Sequence, residues 1–240
     1  MIIVFQHADH LGPGRLGVTL RDHGHKLDIR RPDRDGLRAI PADLDGVRAV
    51  ISMGGPQNVE PGQPDWLTAE IAFIKAAHDR ALPVVGICLG SQMLAAALGG
   101  QVSKMPKPEV GFAPINLTVP GQTETMLAGI PWSHAQLHSH GFHISQLPPG
   151  ATLLASSALC KVQAFKAGIR SYGFQFHPEC DKPQMDAMIA GDPQGLSEAG
   201  LTTSDFAAQA EKHYPTYARV SDRLAVNLAS FLFPFEQLTA

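Results

Sequence analysis

Cys88 lies between Gly86 and Gly90, where an apolar run of strand length meets an alanine-rich run of helix length. A nucleophile on such a strand-to-helix turn has a strained backbone, and the residues two before and two after it must be small. The thiol would then lie at a helix N-terminus, where unpaired amides and the helix dipole favour the thiolate. The pattern makes Cys88 the candidate nucleophile; the alternative is a buried structural cysteine.

A second chemical motif is His177-Pro178-Glu179, which follows an apolar run. Pro178 restricts His177 to extended geometry, and in an extended chain residues i and i+2 project to the same side. A carboxylate that orients an imidazole serving a cysteine is the arrangement of a nucleophilic triad. The alternative is a salt-bridged surface turn, but the cysteine turn in the same chain favours a catalytic pair.

A Gly-Gly-Pro turn at residues 54–56 follows another apolar run, residues 47–52. In a parallel sheet the ends of successive strands lie side by side, so this turn is expected beside Cys88. A backbone N–H of Gly54 or Gly55, together with that of Leu89, could form an oxyanion hole. The alternative is a tight turn without a functional role.

Histidines are concentrated in two segments: His7 and His10 flank Asp9, and the ten residues from His134 to His143 include four histidines. Neither segment has the spacing of a metal site, and we expect the second group to share no face with a carboxylate partner. The sequence therefore predicts no metal ion and no cofactor.

The composition is that of an ordinary globular protein, with 240 residues, 44% hydrophobic residues, 17% charged residues and a formal net charge of -3. No basic excess suggests nucleic acid, and no apolar run is long enough to cross a bilayer. The first residues lack the features of a signal peptide, so we expect a cytoplasmic protein. Three cysteines without CxxC spacing argue against a disulfide scaffold or a zinc ribbon.

Alternating apolar strands and helices up to residue 100 predict an α/β fold, with a doubly wound, mostly parallel sheet and helices on both faces. Later runs alternate with period two and predict added antiparallel strands. We expect one domain over residues 1–240, with a core at 1–180 and a helical extension at 181–240 packed on it. The predicted later strands are 110–119, 151–157, 161–166 and 169–175, a polar connection is expected at 191–203, and the last helices at 204–213 and 216–233.

Taken in order, four motifs resemble those of the class I (triad) glutamine amidotransferases, in particular stand-alone proteins similar to the amidotransferase domain of GMP synthase. The resemblance covers residues 1–180. The motifs are Gly54-Gly55-Pro56, Gly86-Ile87-Cys88-Leu89-Gly90-Ser91-Gln92, Ser139-His140-Gly141-Phe142 and Phe174-Gln175-Phe176-His177-Pro178-Glu179.

The resemblance implies that Cys88 attacks the side-chain amide of glutamine, that His177 acts as base and then acid, and that Glu179 orients His177. Ammonia leaves, a γ-glutamyl thioester remains, and water releases glutamate. The same resemblance implies that the backbone of Gly55 and Leu89 holds the oxyanion. It also implies that the glutamine is bound by Gln92, Ser139, Gly141 and Phe142.

Two features leave the ammonia acceptor open. Phe142 stands where the GMP synthase pattern has Asp, as in the carbamoyl-phosphate synthase small subunit, and no Ser-Gly-Gly-x-Asp-Ser loop is present. We therefore expect this chain not to make GMP alone; a separate synthetase could accept the ammonia. Two alternatives remain: a γ-glutamyl peptide hydrolase with the same triad, and a regulatory subunit that is idle until a partner orders the oxyanion loop.

Overall fold

A nine-stranded sheet runs through the computed structural model, which describes residues 1–233. The strand order is β2-β1-β3-β4-β9-β8-β7-β5-β6. The first five of these are parallel, and β8, β7, β5 and β6 continue the sheet in antiparallel pairs. The strands are β1 (Ile2–Phe5), β2 (Leu27–Arg30), β3 (Ala49–Ser52), β4 (Val84–Ile87), β5 (Gln101–Leu117), β6 (Ser133–Gln146), β7 (Thr152–Ser156), β8 (Ala164–Ala167) and β9 (Ser171–Phe174).

Helices cover both faces of the parallel half, because successive strand residues point to opposite sides. The helices are α1 (Gly14–Asp22), α2 (Pro32–Asp35), α3 (Asp65–Asp79), α4 (Leu89–Ala97), α5 (Val119–Thr123), α6 (Lys182–Gly191), α7 (Pro193–Glu198) and α8 (Thr203–Asn227). In β1, Ile2 and Val4 pack in one apolar cluster with α1 and α8, whereas Ile3 and Phe5 pack in another with α3 and α4. This confirms the predicted fold class.

The later strands differ from the prediction in two places. Strand β9 was expected to be antiparallel, but it is parallel to β4 on one side and antiparallel to β8 on the other. Strand β6 was missed, because its many histidines hide the apolar alternation on which strand prediction rests. It pairs along most of β5, which begins earlier than predicted and shifts register between Lys104 and Glu109.

The C-terminal helices also differ from the prediction. The expected polar connection at 191–203 contains α7, and the two expected helices form one, α8, with Pro215 inside it. Pro215 removes one backbone N–H from the helix, but burial of the apolar face of α8 outweighs that loss. Of the expected extension, residues 234–240 lie outside the described part. Within residues 1–233, no helix is long and apolar enough to cross a membrane.

Candidate active site

Three neighbouring parallel strands end at one edge of the sheet, and a predicted site segment follows each of them there. The Gly54-Gly55 turn follows β3, Cys88 follows β4, and His177 lies just beyond β9. Carboxyl ends of parallel strands form the usual ligand crevice of an open α/β sheet. The strand order, rather than proximity in sequence, brings these segments together.

Cys88 has the strained backbone expected of a strand-to-helix turn. Its φ is 50° and its ψ is -107°, a conformation that side-chain-bearing residues rarely adopt. The Cys88 N–H donates to the Phe174 carbonyl at 2.8 Å, which continues the pairing of β4 with β9. The Cys88 side chain lies at the start of α4, whose first N–H groups have no acceptor within the helix.

The two flanking glycines are required by close backbone contacts. A Cβ on Gly86 would lie 2.4 Å from the Gly90 carbonyl oxygen, and a Cβ on Gly90 would lie 2.0 Å from the Ser52 carbonyl oxygen. No flexible side chain could move to relieve either contact. The spacing of glycines around Cys88 therefore reflects the packing of α4 against β3 and β4.

His177 and Glu179 form a buried pair beside Cys88. The Nδ1–H of His177 donates to Oε1 of Glu179 at 2.8 Å, and both side chains are almost fully buried. Burial alone would lower the pKa of His177, but the charge of Glu179 and the interaction with Cys88 outweigh it and raise that pKa well above 6.5. The arrangement therefore favours an imidazolium that can give a proton to a leaving group.

Tyr217, on α8, supports the His177–Glu179 segment. Its hydroxyl donates to the carbonyl oxygens of His177, at 2.6 Å, and of Cys180, at 3.1 Å. The sequence predicted only that this tyrosine belongs to an apolar helix face. A buried tyrosine hydroxyl needs a hydrogen-bond partner, and this was the signal in the sequence that could have indicated a contact with a polar group.

The Gly54-Gly55 turn lies against both His177 and the start of α4. A Cβ on Gly54 would lie 2.8 Å from Cε1 of His177, and a Cβ on Gly55 would lie 2.8 Å from Cδ2 of Leu89. Side chains here would therefore obstruct the crevice. The arrangement suits the predicted oxyanion role of the Gly55 and Leu89 backbone, which remains a prediction.

A buried ion pair, which the sequence did not predict, lies under this turn. His7 faces only acceptors: Nδ1 is 3.1 Å from the Met53 carbonyl and 3.2 Å from the Gly54 carbonyl, and Nε2 is 2.9 Å from Glu70. Ser52 donates to the same carboxylate at 2.7 Å. Burial lowers the pKa of His7, but Glu70 outweighs it and the pKa is raised above 6.5. A doubly protonated His7 thus holds the carbonyls that precede Gly55.

Replacement of Glu70 by glutamine is expected to destabilise the fold by about 3 kcal/mol near pH 6, because it leaves a buried histidine without its counter-charge. Since the pKa of His7 is raised in the folded state, the stabilisation is complete below pH 6.5 and is lost as pH rises through the folded value. Urea unfolding from pH 5.5 to 9 should therefore show a difference between wild type and Glu70→Gln that shrinks with pH. The exposed residue Glu211, changed to glutamine, is the control; a pH-independent difference would contradict the ion pair.

The four residues predicted to bind glutamine lie around one cavity of about 140 Å³, here called the Gln92 cavity. Gln92 donates from Nε2 to the Phe142 carbonyl and to Oε1 of Gln175, both at 3.1 Å. The cavity opens onto Cys88, whose Sγ is 3.9 Å from the Ser139 carbonyl. Its walls include Gly55, Leu89, Cys88, Gln92, Ser139, Gly141 and Phe142.

The expectation that the histidines of β6 lack a carboxylate partner is wrong. Oε2 of Glu109, on the paired strand β5, lies 3.3 Å from Nε2 of His140 and 3.6 Å from Nδ1 of His138. Burial lowers the pKa of His138 to about 4, so this imidazole is neutral.

The side chains of Glu109, His138 and His140 could hold a small divalent cation. The amide nitrogen of Gln163 lies between Glu109 and His138 and contacts both. The pairing of β5 with β6, which sequence periodicity did not reveal, brings them together.

Comparison with known proteins identifies the family of this chain. The family model for class-I glutamine amidotransferases matches residues 16–192. A glutamine-hydrolyzing GMP synthase subunit from Thermoplasma acidophilum is 33% identical, over 69% of this chain and 78% of that protein. The glutamine amidotransferase-like protein YfeJ of Salmonella typhimurium is 32% identical, over 67% of this chain and 69% of that protein.

A solved structure agrees at the level of the fold. The crystal structure of a glutamine amido transferase from Methylobacillus flagellatus superposes with a TM-score of 0.83 and 24% identity, covering 94% of this chain and 92% of that one. The family match and the two relatives above confirm the resemblance inferred from the motifs. On the extent of the family match, this chain belongs to the class-I glutamine amidotransferases.

Proposed function

We propose that this chain hydrolyses the side-chain amide of glutamine through a γ-glutamyl thioester on Cys88. The observation that carries the proposal is the meeting of Cys88, on its strained turn, with the buried His177–Glu179 pair in one crevice. Membership of the glutamine amidotransferase family supports the substrate class.

In this proposal Cys88 and His177 form a thiolate–imidazolium pair before substrate arrives. Sγ attacks the amide carbon, and the backbone N–H groups of Gly55 and Leu89 donate to the oxyanion. His177 then gives its proton to the departing nitrogen, so the C–N bond breaks and ammonia leaves. Water, deprotonated by His177, attacks the thioester and releases glutamate. Glu179 holds Nδ1–H throughout, which keeps Nε2 available for both proton transfers.

The Gln92 cavity is the proposed site of the γ-glutamyl group. Its volume of about 140 Å³ and its position beside Cys88 suit one amino-acid-sized ligand. Ser139, Gly141 and Phe142 line it, and the buried amide of Gln92 fixes the Phe142 carbonyl by a hydrogen bond. These residues would bind and orient the substrate rather than take part in bond breaking.

A separate synthetase is the proposed acceptor of the ammonia. The proposal rests on relatives named as one subunit of a glutamine-hydrolyzing GMP synthase, a name that implies a further subunit in those proteins. The same relatives support the regulatory alternative, in which the triad works only when a partner is bound. Nothing in the chemistry at Cys88 differs between these two cases.

The direct test is the release of ammonia and glutamate by the purified chain supplied with glutamine. We expect both products in equal amounts, without any added cofactor. Release that begins only when a synthetase partner is added would favour the regulatory alternative. If glutamine is not turned over and Cys88 is not alkylated by 6-diazo-5-oxo-L-norleucine, a glutamine analogue that reacts with such thiols, the proposed function is wrong.

A further inference from the structure

A second cavity, here called the Met188 cavity, meets the Gln92 cavity at Cys88. It is larger, about 300 Å³ against about 140 Å³. Its own walls are His10, Leu11, His177, Met188 and Gly191, whereas Asp192 lies at the border and lines both cavities. One wall of the cavity therefore comes from α6 and from the residue that follows it, in the segment beyond the motifs.

The position of His177 distinguishes the two cavities chemically. His177 lines the Met188 cavity but not the Gln92 cavity. A general acid must lie next to the atom that receives its proton, which in amide cleavage is the leaving nitrogen. If the γ-glutamyl group occupies the Gln92 cavity, the leaving amine departs into the Met188 cavity.

The Met188 cavity is far larger than ammonia requires. A volume on the order of 15 Å³ suffices for one water-sized molecule, whereas this cavity has about 300 Å³. We propose that the Met188 cavity is a subsite for a substituent on the leaving nitrogen, so that the enzyme cleaves γ-glutamyl amides of small primary amines as well as glutamine. This inference rests on the proposed function, because it uses the same thioester.

The charge of the cavity selects among such amines. Among the described residues, the walls include Asp192, the apolar residues Leu11 and Met188, and the histidines His10 and His177, but no lysine or arginine. His177 gives its proton to the leaving nitrogen, so Asp192 is the charged residue that faces a substituent on that nitrogen. One Asp192 oxygen accepts the Gly195 N–H at 2.8 Å as the N-cap of α7, which fixes the carboxylate in place. Amines with a neutral or cationic substituent fit this wall. An amino acid as leaving group would bring a carboxylate toward Asp192, so γ-glutamyl peptides fit less well.

The reaction balances without a co-reactant other than water. Sγ of Cys88 forms the C–S bond as the C–N bond breaks, and the proton on His177 passes to the departing amine. Water then cleaves the thioester, which restores the thiol and gives glutamate. The products are glutamate and the free amine.

The test is a series of γ-glutamyl amides of similar length that differ in charge: the N-propyl, N-(3-aminopropyl) and N-(2-carboxyethyl) amides, with glutamine as reference. We expect kcat/KM for the propyl amide to lie within about threefold of glutamine or above it. We expect the carboxyethyl amide to be at least about tenfold poorer than the aminopropyl amide. A site shaped for ammonia alone would reject the propyl amide by more than about a hundredfold.

Substitutions at two positions link the substrate preference to this cavity. A Cβ on Gly191 would meet only His10, at 3.9 Å, and its φ is not positive, so a side chain can begin there without a backbone clash. Gly191→Phe should lower the kcat/KM ratio of propyl amide to glutamine by about tenfold, whereas Gly191→Ala should leave that ratio unchanged. Asp192→Asn should abolish the preference for the aminopropyl over the carboxyethyl amide.

The outcomes separate this inference from the proposed function. Turnover of glutamine with rejection of the propyl amide would overturn the subsite and leave glutamine hydrolysis standing. Equal losses on every substrate in Asp192→Asn would assign that carboxylate to the glutamyl ammonium group and overturn its role in amine selection. Absence of turnover on all substrates, with no acylation of Cys88, would overturn both.

Discussion

Replacement of Cys88 by alanine should lower glutamine hydrolysis by at least about 10⁴-fold, because it removes the thiol that forms the acyl intermediate. Cys88→Ser should retain only slightly more activity than Cys88→Ala, because its hydroxyl can still attack but is a far weaker nucleophile than the thiol at neutral pH. Neither change alters the backbone strain of the turn, because alanine and serine carry a Cβ just as cysteine does at this φ of 50°. Circular dichroism and thermal unfolding should therefore match wild type.

Cys160 provides the matched control for the thiol chemistry. It is fully buried, and burial raises the pKa of its thiol to about 12, so it stays protonated and unreactive. Cys160→Ala should keep glutamine hydrolysis close to wild type. Mass spectrometry of acid-quenched enzyme should place the γ-glutamyl adduct on the peptide containing Cys88. An adduct on Cys160 or Cys180, or more than about 1% residual activity in Cys88→Ala, would contradict the assignment.

Gly90→Ala is expected to be the most destabilising single-methyl change at the turn. The added Cβ would lie 2.0 Å from the Ser52 carbonyl oxygen, which belongs to the backbone of β3 and cannot rotate away. We expect a loss of about 3 kcal/mol or more in the free energy of unfolding. For a chain of this size that corresponds to a fall in Tm of about 6–12 °C.

The same substitution should also lower activity in the protein that remains folded. The Gly90 N–H donates to the Met53 carbonyl at 3.1 Å, so displacing α4 also moves the turn that contains Gly55. Gly191→Ala is the control, because its Cβ would make only an ordinary van der Waals contact with His10, at 3.9 Å, and alanine is favoured over glycine in a helix. A Tm for Gly90→Ala within about 2 °C of wild type would show that the close packing of α4 on β3 is not essential.

Residue types and their spacing were enough to predict the local geometry of the site. The glycine spacing around Cys88 follows from contacts within one strand–turn–helix unit and its nearest strand, and Pro178 restricts His177 locally. Both features depend on steric limits of the backbone over a few residues, which residue types reveal directly. The apolar runs likewise indicated the parallel half of the sheet, because burial on both faces leaves a continuous hydrophobic pattern.

The distant residues that support this geometry could be identified only in the folded chain. His7 meets Glu70 across 63 positions, Tyr217 meets His177 across 40, and Met188 and Asp192 close the crevice from the segment beyond the motifs. In its own segment each partner looks ordinary: His7 is a loop histidine, Glu70 is a polar residue in a helix, and Tyr217 is one residue of an apolar helix face. Their roles depend on the strand order and on how the helices pack against the sheet. A polar group that is buried loses its hydrogen bonds to water and needs a partner in the protein, and the tertiary structure alone places that partner beside it.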